Sequence, residues 1–129
     1  IINDVKEITN QNGVDIIYDP IGGEYFSKSL KVIKWGGKIL VIGFASGTIP
    51  NLPINIALIK GISVLGVRAG EYFRKNPKLK QPAMNKLLSI ANKGLITPVI
   101  HDTLKLKDAS KALKRIENRE VIGRLILKP

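Results

Sequence analysis

The chain has 129 residues, 44% of them apolar, and carries 21 Lys and Arg against 10 Asp and Glu, for a formal charge of +11 and a pI near 10.0. That length and apolar content can bury a core, and no Ser/Gly-rich or charged tract marks an internal linker, so the composition points to one compact domain. The absence of cysteine excludes disulfides and thiolate zinc sites and fits a reducing cytoplasm, while every apolar stretch is broken by Gly, Lys or Pro short of a membrane-spanning length, so no membrane partner is expected.

The sequence opens without Met or a signal-peptide pattern, inside what reads as a helix, with Asn3 or Asp4 capping Val5 to Thr9. Val14 to Tyr18 is a strand-like run that ends in Asp19-Pro20-Ile21-Gly22-Gly23. Glu24 to Lys34 carries apolar residues at Phe26, Leu30 and Ile33, a helical stripe with Gly36-Gly37 as its stop and Trp35 packed as core at the helix end. A second strand runs from Gly37 to Phe44, followed by a loop at Ala45-Ser46-Gly47-Thr48 and a segment held extended by Pro50 and Pro53. Ile54 to Lys60 reads as a short helix stopped by Gly61, and Ile62 to Val67 as a third strand.

Glu71 to Pro82 reads as a polar, basic excursion leading into a helix from Ala83 to Lys93, apolar at Met84, Leu87, Leu88 and Ala91 and closed by Gly94. Pro98-Val99-Ile100 and Thr103 to Leu106 look extended. Asp108 is placed to cap a last helix with the stripe Ala109, Ala112, Leu113, Ile116, and Gly123 to Leu127 closes the chain as a strand. Continuous Val/Ile/Leu runs alternating with helices imply a parallel sheet buried on both faces. In such sheets ligands bind at the carboxyl ends of the strands, where Gly22, Gly43 and Gly66 fall, and a missing Cβ lets backbone approach a flat or anionic ligand.

The phrases Gly13-Val14-Asp15, Asp19-Pro20-Ile21-Gly22-Gly23, Trp35-Gly36-Gly37-Lys38-Ile39-Leu40-Val41-Ile42-Gly43-Phe44-Ala45-Ser46-Gly47 and Ile122-Gly123-Arg124-Leu125-Ile126-Leu127 resemble the second half of the nucleotide-binding domain of the medium-chain dehydrogenase/reductase superfamily. The likeness is nearest to its zinc-free quinone oxidoreductase branch. It implies an α/β fold: a partial Rossmann-like parallel sheet flanked by helices, lacking the first half of the doubly wound domain. Residues 1–129 would be the C-terminal part of a dinucleotide-binding domain, about the last two-fifths of a protein, with about 98–129 returning toward a catalytic domain encoded upstream. No G-x-G-x-x-G pyrophosphate turn occurs in the sequence. The isolated chain is therefore expected to be inactive.

The resemblance also implies site residues. Pro20 and Ile21 would line the adenine pocket, and Ile42, Gly43 and Phe44 would lie beside the nicotinamide and its ribose. Gly66 and Arg68 would offer backbone groups to the carboxamide, and Arg124 would approach the pyrophosphate. The cofactor would be NADP, with NAD possible. The reaction would pass hydride to a quinone or a related enone or carbonyl, and a homodimer would form through the Ile62–Val67 strand.

The charge raises an alternative, a basic non-catalytic module that binds nucleic acid through Arg74-Lys75-Lys78-Lys80 and Lys105-Lys107-Lys111-Lys114-Arg115-Arg119. Aromatics are not interleaved with these charges, and on the last helix they fall opposite the apolar stripe, as on a solvated face. Specific nucleic-acid binding is not expected. His101 is the sole histidine; without Cys or clustered carboxylates it reads as a surface or turn residue and not a ligand. Asp19 is expected to cap the loop before Glu24. Nothing in the sequence forms a catalytic centre or a metal site.

Overall fold

The computed structural model describes residues 1–129. A helix α1 (Ile2–Ile8) leads into strand β1 (Val14–Asp19), helix α2 (Gly23–Val32), strand β2 (Ile33–Val41), helix α3 (Ile54–Lys60) and strand β3 (Ser63–Gly66). These strands form one parallel sheet in the order β1-β2-β3. Helices α4 (Ala69–Lys75) and α5 (Pro77–Asn92) follow, then strand β4 (Ile100–Lys105), a turn of 3-10 helix, helix α6 (Ala109–Glu117) and strand β5 (Arg124–Lys128). β4 and β5 make a second, two-stranded parallel sheet. The chain divides into two compact units, Ile1–Lys75 and Asn76–Pro129, where composition pointed to one domain. No linker signal marks the division because it falls between two helices of ordinary polar composition.

In the first unit, Ile17, Ile39 and Val64 stand in one row across the sheet, and Tyr18, Leu40 and Leu65 in the next. The first row packs on a buried cluster of Phe26, Leu30, Ile33 and Ile39, with Leu52, Ile56 and Ile62 closing over it. Each such side chain contributes roughly 1.5–3 kcal/mol by leaving water. The opposite row is open: Tyr18 is 66% exposed and Leu65 44%. Burial on both faces, as the continuous apolar runs implied, is thus not what this chain achieves. Two crossovers of the favoured hand that step the same way along a sheet must place their helices on the same face. Here α2 and α3 cover one face, and no further crossover in this unit reaches the other.

Helix α2 ends earlier than its stripe suggested. Ile33 is already extended, pairs with Val14, and is only 2% exposed. Two steps along β1, from Val14 to Ile16, then face five along β2, from Ile33 to Lys38. Gly36-Gly37 therefore lie in a bulge inside β2 and do not stop the helix. Trp35 is carried outward by the bulge to 78% exposure, a correction to its placement in the core, though its indole lies over the Gly61 turn. Lys34, on the same bulge, is ion-paired to Asp15, which holds that carboxyl below the usual range. Gly61 does end α3, in the left-handed conformation.

The α1 cap is Ile1, with Asp4 inside the first turn, not Asn3 or Asp4 before it. The excursion at Glu71 to Pro82 is helical: α4 takes its first half and α5 its second. Pro77 occupies the first turn of α5, where a missing N–H costs nothing, and Pro82 removes only one hydrogen bond in the second turn. The α5 stripe is correctly placed but not buried, with Leu87 and Leu88 each 54% exposed. Gly94 closes α5 through paired bonds, Gly94 N–H to Ala91 O and Leu95 N–H to Ile90 O. Asp108 sits at the cap of α6 but makes no capping bond; its carboxylate takes Lys111 instead.

Candidate functional site

The β1 tip is built by its own sequence. Asp19, 5% exposed, accepts hydrogen bonds at one carboxylate oxygen from the Ile21 N–H (2.9 Å) and the Gly22 N–H (2.8 Å). This turns the chain sharply into α2, the loop-capping role expected of Asp19. Gly22 takes φ 68° and ψ −151°, a region open to glycine almost alone. A Cβ there would also come within 2.8 Å of the Phe44 ring. The tip is zipped to the loop after β2: the Asp19 carbonyl accepts Ile42 N–H, the Pro20 carbonyl Ala45 N–H, and the Ile21 carbonyl Ser46 N–H. Pro20, Ile21, Ile42, Gly43 and Phe44 are brought together by this ladder. Pro20 and Ile21 border a cavity of about 170 Å³ shared with Tyr18, Tyr25 and Lys28.

The β3 tip differs. It is fixed to the sheet by the Val67 N–H on the Val41 carbonyl. A Cβ added at Gly66 would meet nothing within 4 Å, and one at Gly43 would find only the Pro20 carbonyl at an ordinary 3.5 Å. Neither glycine has the positive φ that Gly22 has. Beyond Gly66 an open cavity of about 330 Å³ is bordered by Arg68, Tyr72 and Phe73, whose two rings meet edge to face at 5.6 Å. This aromatic pair is absent from the residues singled out in the sequence. Its signal was there, since Tyr72 follows Arg68 by one helical turn, but it lay in the segment read as an excursion.

Seven of the eight candidate residues thus sit at the carboxyl ends of neighbouring strands in the first unit. The eighth, Arg124, begins β5 in the second unit and is exposed. His101 lies in strand β4, not in a turn, and is exposed; its Nδ1 accepts the Ile122 N–H (3.2 Å), tying β4 to the turn before β5.

A family model described as zinc-binding dehydrogenase matches residues 3–127. The chain belongs to that family. Among curated relatives, it is 34% identical over 124 residues to a quinone oxidoreductase-like protein 2 homolog of Nematostella vectensis and 32% identical over 123 residues to quinone oxidoreductase-like protein 2 of Rattus norvegicus. Both alignments cover 95% of this chain but only 34% and 35% of those proteins, so the chain spans about a third of their length. Among solved structures, a mycobacterial protein complexed with NADPH superposes with a TM-score of 0.81 at 25% identity, over 99% of this chain and 40% of that one. It is thus a quinone oxidoreductase-like member of the medium-chain dehydrogenase/reductase superfamily, with an α/β, Rossmann-type parallel sheet flanked by helices.

The family description names zinc, and the donor set can be tested against it. No three His, Asp or Glu side chains of this chain converge on a point, and there is no cysteine. These residues do not build a zinc site by themselves. No helix is long and apolar enough to cross a membrane.

The positive charge is uneven. Asn76–Pro129 carries twelve Lys and Arg against four Asp and Glu, and Ile1–Lys75 nine against six. Part of it is answered locally, by Arg74 on Glu71, Lys111 on Asp108 and Arg115 on Asp102. The Arg115 hydrogen bond, seconded by the Thr103 N–H, holds the Asp102 carboxyl below its usual range.

Proposed function

We propose that the chain supplies a wall of the nicotinamide-cofactor site of an NAD(P)H-dependent oxidoreductase whose acceptor is a quinone or a related enone or carbonyl. The observation that carries this reading is glycine where the fold does not ask for it. Gly43 and Gly66 have ordinary backbone and no crowding, yet both stand at carboxyl ends of parallel strands, where a ligand needs room. Pro20 and Ile21 would border the adenine; Ile42, Gly43 and Phe44 the nicotinamide ribose; Gly66 and Arg68 would bond the carboxamide through their backbone groups. Arg124 would meet the pyrophosphate, a fork suited to that anion. NADPH is preferred over NADH. A reduced nicotinamide held there would supply one hydride for the acceptor, with the balancing proton drawn from water.

The same proposal takes the enzyme as cytoplasmic and without a specific nucleic-acid partner, since three cations of the basic clusters are already ion-paired. These 129 residues alone are expected to turn over no quinone, because donor and acceptor must be held in one near-attack geometry. It also includes a homodimer through the Ile62–Val67 strand, for which the free edge of β3 is the support.

The test is calorimetric titration of the full-length protein with NADPH, alongside a steady-state assay with a simple quinone. Gly66→Val, filling the open space, is expected to weaken NADPH about tenfold or more, equivalent to at least ~1.4 kcal/mol, with the melting temperature unchanged. A full-length protein that binds no dinucleotide sinks the reading.

A further inference from the structure

The sequence contains a single Asn-Gly step, Asn12-Gly13, in the turn between α1 and β1. Asparagine is chemically labile through its side-chain amide, and a following glycine exposes it most. With no side chain in the way, the glycine nitrogen can close on the carboxamide carbon. The Asn12 side chain is exposed, and its amide takes part in no hydrogen bond. Nor is the glycine freely replaceable: Gly13 has φ 77°, and a Cβ there would run into the Val32 carbonyl oxygen. The fold therefore keeps a reactive pair at the entry to β1.

The attacking atom, however, is occupied. The Gly13 N–H donates to Thr9 Oγ1 (3.1 Å), and that hydroxyl is aimed by its own bond to the Val5 carbonyl (2.7 Å). The turn needs such holding, because Asn10 and Gln11 also take positive φ, 49° and 66°, a region uncommon for residues other than glycine. Attack requires the nitrogen to lose its proton, so it proceeds from the opened turn, as hydrogen exchange does. We infer that Asn12 is a deamidation site of this protein and that the Thr9 hydroxyl is its gate. In the open turn the deprotonated Gly13 nitrogen bonds to Asn12 Cγ, the Cγ–Nδ2 bond breaks, and ammonia leaves, the proton lost by the backbone nitrogen being returned to it through solvent. Water then opens the resulting succinimide at either carbonyl, giving aspartate or isoaspartate, and nothing is oxidised or reduced. The isoaspartate form carries the main chain through the former side chain, which lengthens the turn into β1. The inference is independent of the oxidoreductase reading.

The test follows the peptide spanning Asn12 by mass spectrometry in full-length protein held in mildly alkaline buffer. Wild type, Thr9→Val, Thr9→Ser and Asn12→Gln are compared, with wild type unfolded in urea beside them. The wild-type peptide should gain the mass of acid over amide and divide into aspartate and isoaspartate forms, more slowly when folded than in urea. Thr9→Val should speed this by about two- to tenfold, the worth of one net hydrogen bond. Thr9→Ser keeps the oxygen and should stay within about twofold of wild type. Asn12→Gln, whose longer side chain must close a larger ring, should give no product. Amide exchange at Gly13 in the wild type decides the matter whether or not Thr9→Val folds: an N–H as unprotected as in urea overturns the gate. So does folded wild type reacting at the unfolded rate, a folded Thr9→Val no faster than wild type, or a Thr9→Ser as fast as Thr9→Val. No product at Asn12 even in urea overturns the site itself.

Discussion

The carboxyl ends of β1 and β3 belong to one three-stranded sheet and both carry glycine, but the chain closes only the first of them. At β1, the buried Asp19 carboxylate gathers two backbone N–H groups, Gly22 adopts a conformation other residues avoid, and three carbonyls bond the loop after β2. The polar groups named here are engaged by the fold. At β3, Gly66 is uncrowded and Arg68 has no ion-pair partner. A glycine at a strand tip is therefore not one signal but two. Where packing and φ demand it, it reports on folding; where neither does, the space it leaves is available to a ligand.

The largest effect should separate the two glycines. Gly22→Ala is expected to destabilise the full-length protein by about 2–3 kcal/mol, from the unfavourable backbone and the contact with Phe44. Gly66→Ala should lose nothing measurable, because a methyl group there meets no atom. Denaturant midpoints measure both. Equal losses would erase the distinction on which the functional reading depends. Next in size, Asp19→Ala leaves two N–H groups without an acceptor, one of them in a buried bond, and should cost about 1–3 kcal/mol. Asp19→Asn keeps an oxygen in the same place and should recover most of the loss. If Asn were as damaging as Ala, the negative charge and not the hydrogen-bond geometry would be what holds the β1 tip.

How much of this was legible in the sequence differs from region to region. The three strands were placed within a few residues, because continuous β-branched runs have few alternatives once Gly and Pro bound them. The Asp19 cap was readable because an Asx turn is a local device. The bulge was not: Ile33 continues a helical stripe by spacing, and only its pairing with Val14 across the sheet draws it into β2. Local propensity cannot see that competition. The first turns of α5 were missed because Glu71 to Pro82 was read as a polar, basic excursion, although Pro77 falls in the first turn of that helix, where proline is harmless. At the site, the resemblance supplied Gly66 and Arg68, but the openness of the space beside them is a property of three-dimensional packing that no spacing encodes.

The free edge of β3 extends the contrast to assembly. Because the Val67 N–H points to Val41, alternation along a parallel strand turns the Val64 N–H away from β2, toward the free edge. Val64→Pro deletes that outward donor and leaves the β2–β3 bonds in place. Sedimentation of the full-length protein should show a weakened dimer, by about 1 kcal/mol for each hydrogen bond lost. A wild-type monomer, or a dimer indifferent to the change in a folded variant, removes the β3 edge as the shared surface.

The smallest effect concerns the carboxylate beside the open tip. Arg74 hydrogen-bonds Glu71 and holds its carboxyl below the usual glutamate range. A depressed value in the folded state means the pair contributes in full above the ordinary carboxylate range and fades as pH falls through the lower, folded value. Across neutral pH, then, Glu71 is ionised and paired with Arg74. Both partners touch solvent, so the stability change on acidification should be slight and screened by salt. Carboxyl chemical shifts followed through an acid titration are the sensitive measure. In Arg74→Gln the Glu71 midpoint should rise toward the ordinary value. A Glu71 midpoint unmoved by Arg74→Gln would show that the two hydrogen bonds from Arg74 do not hold this carboxylate in solution.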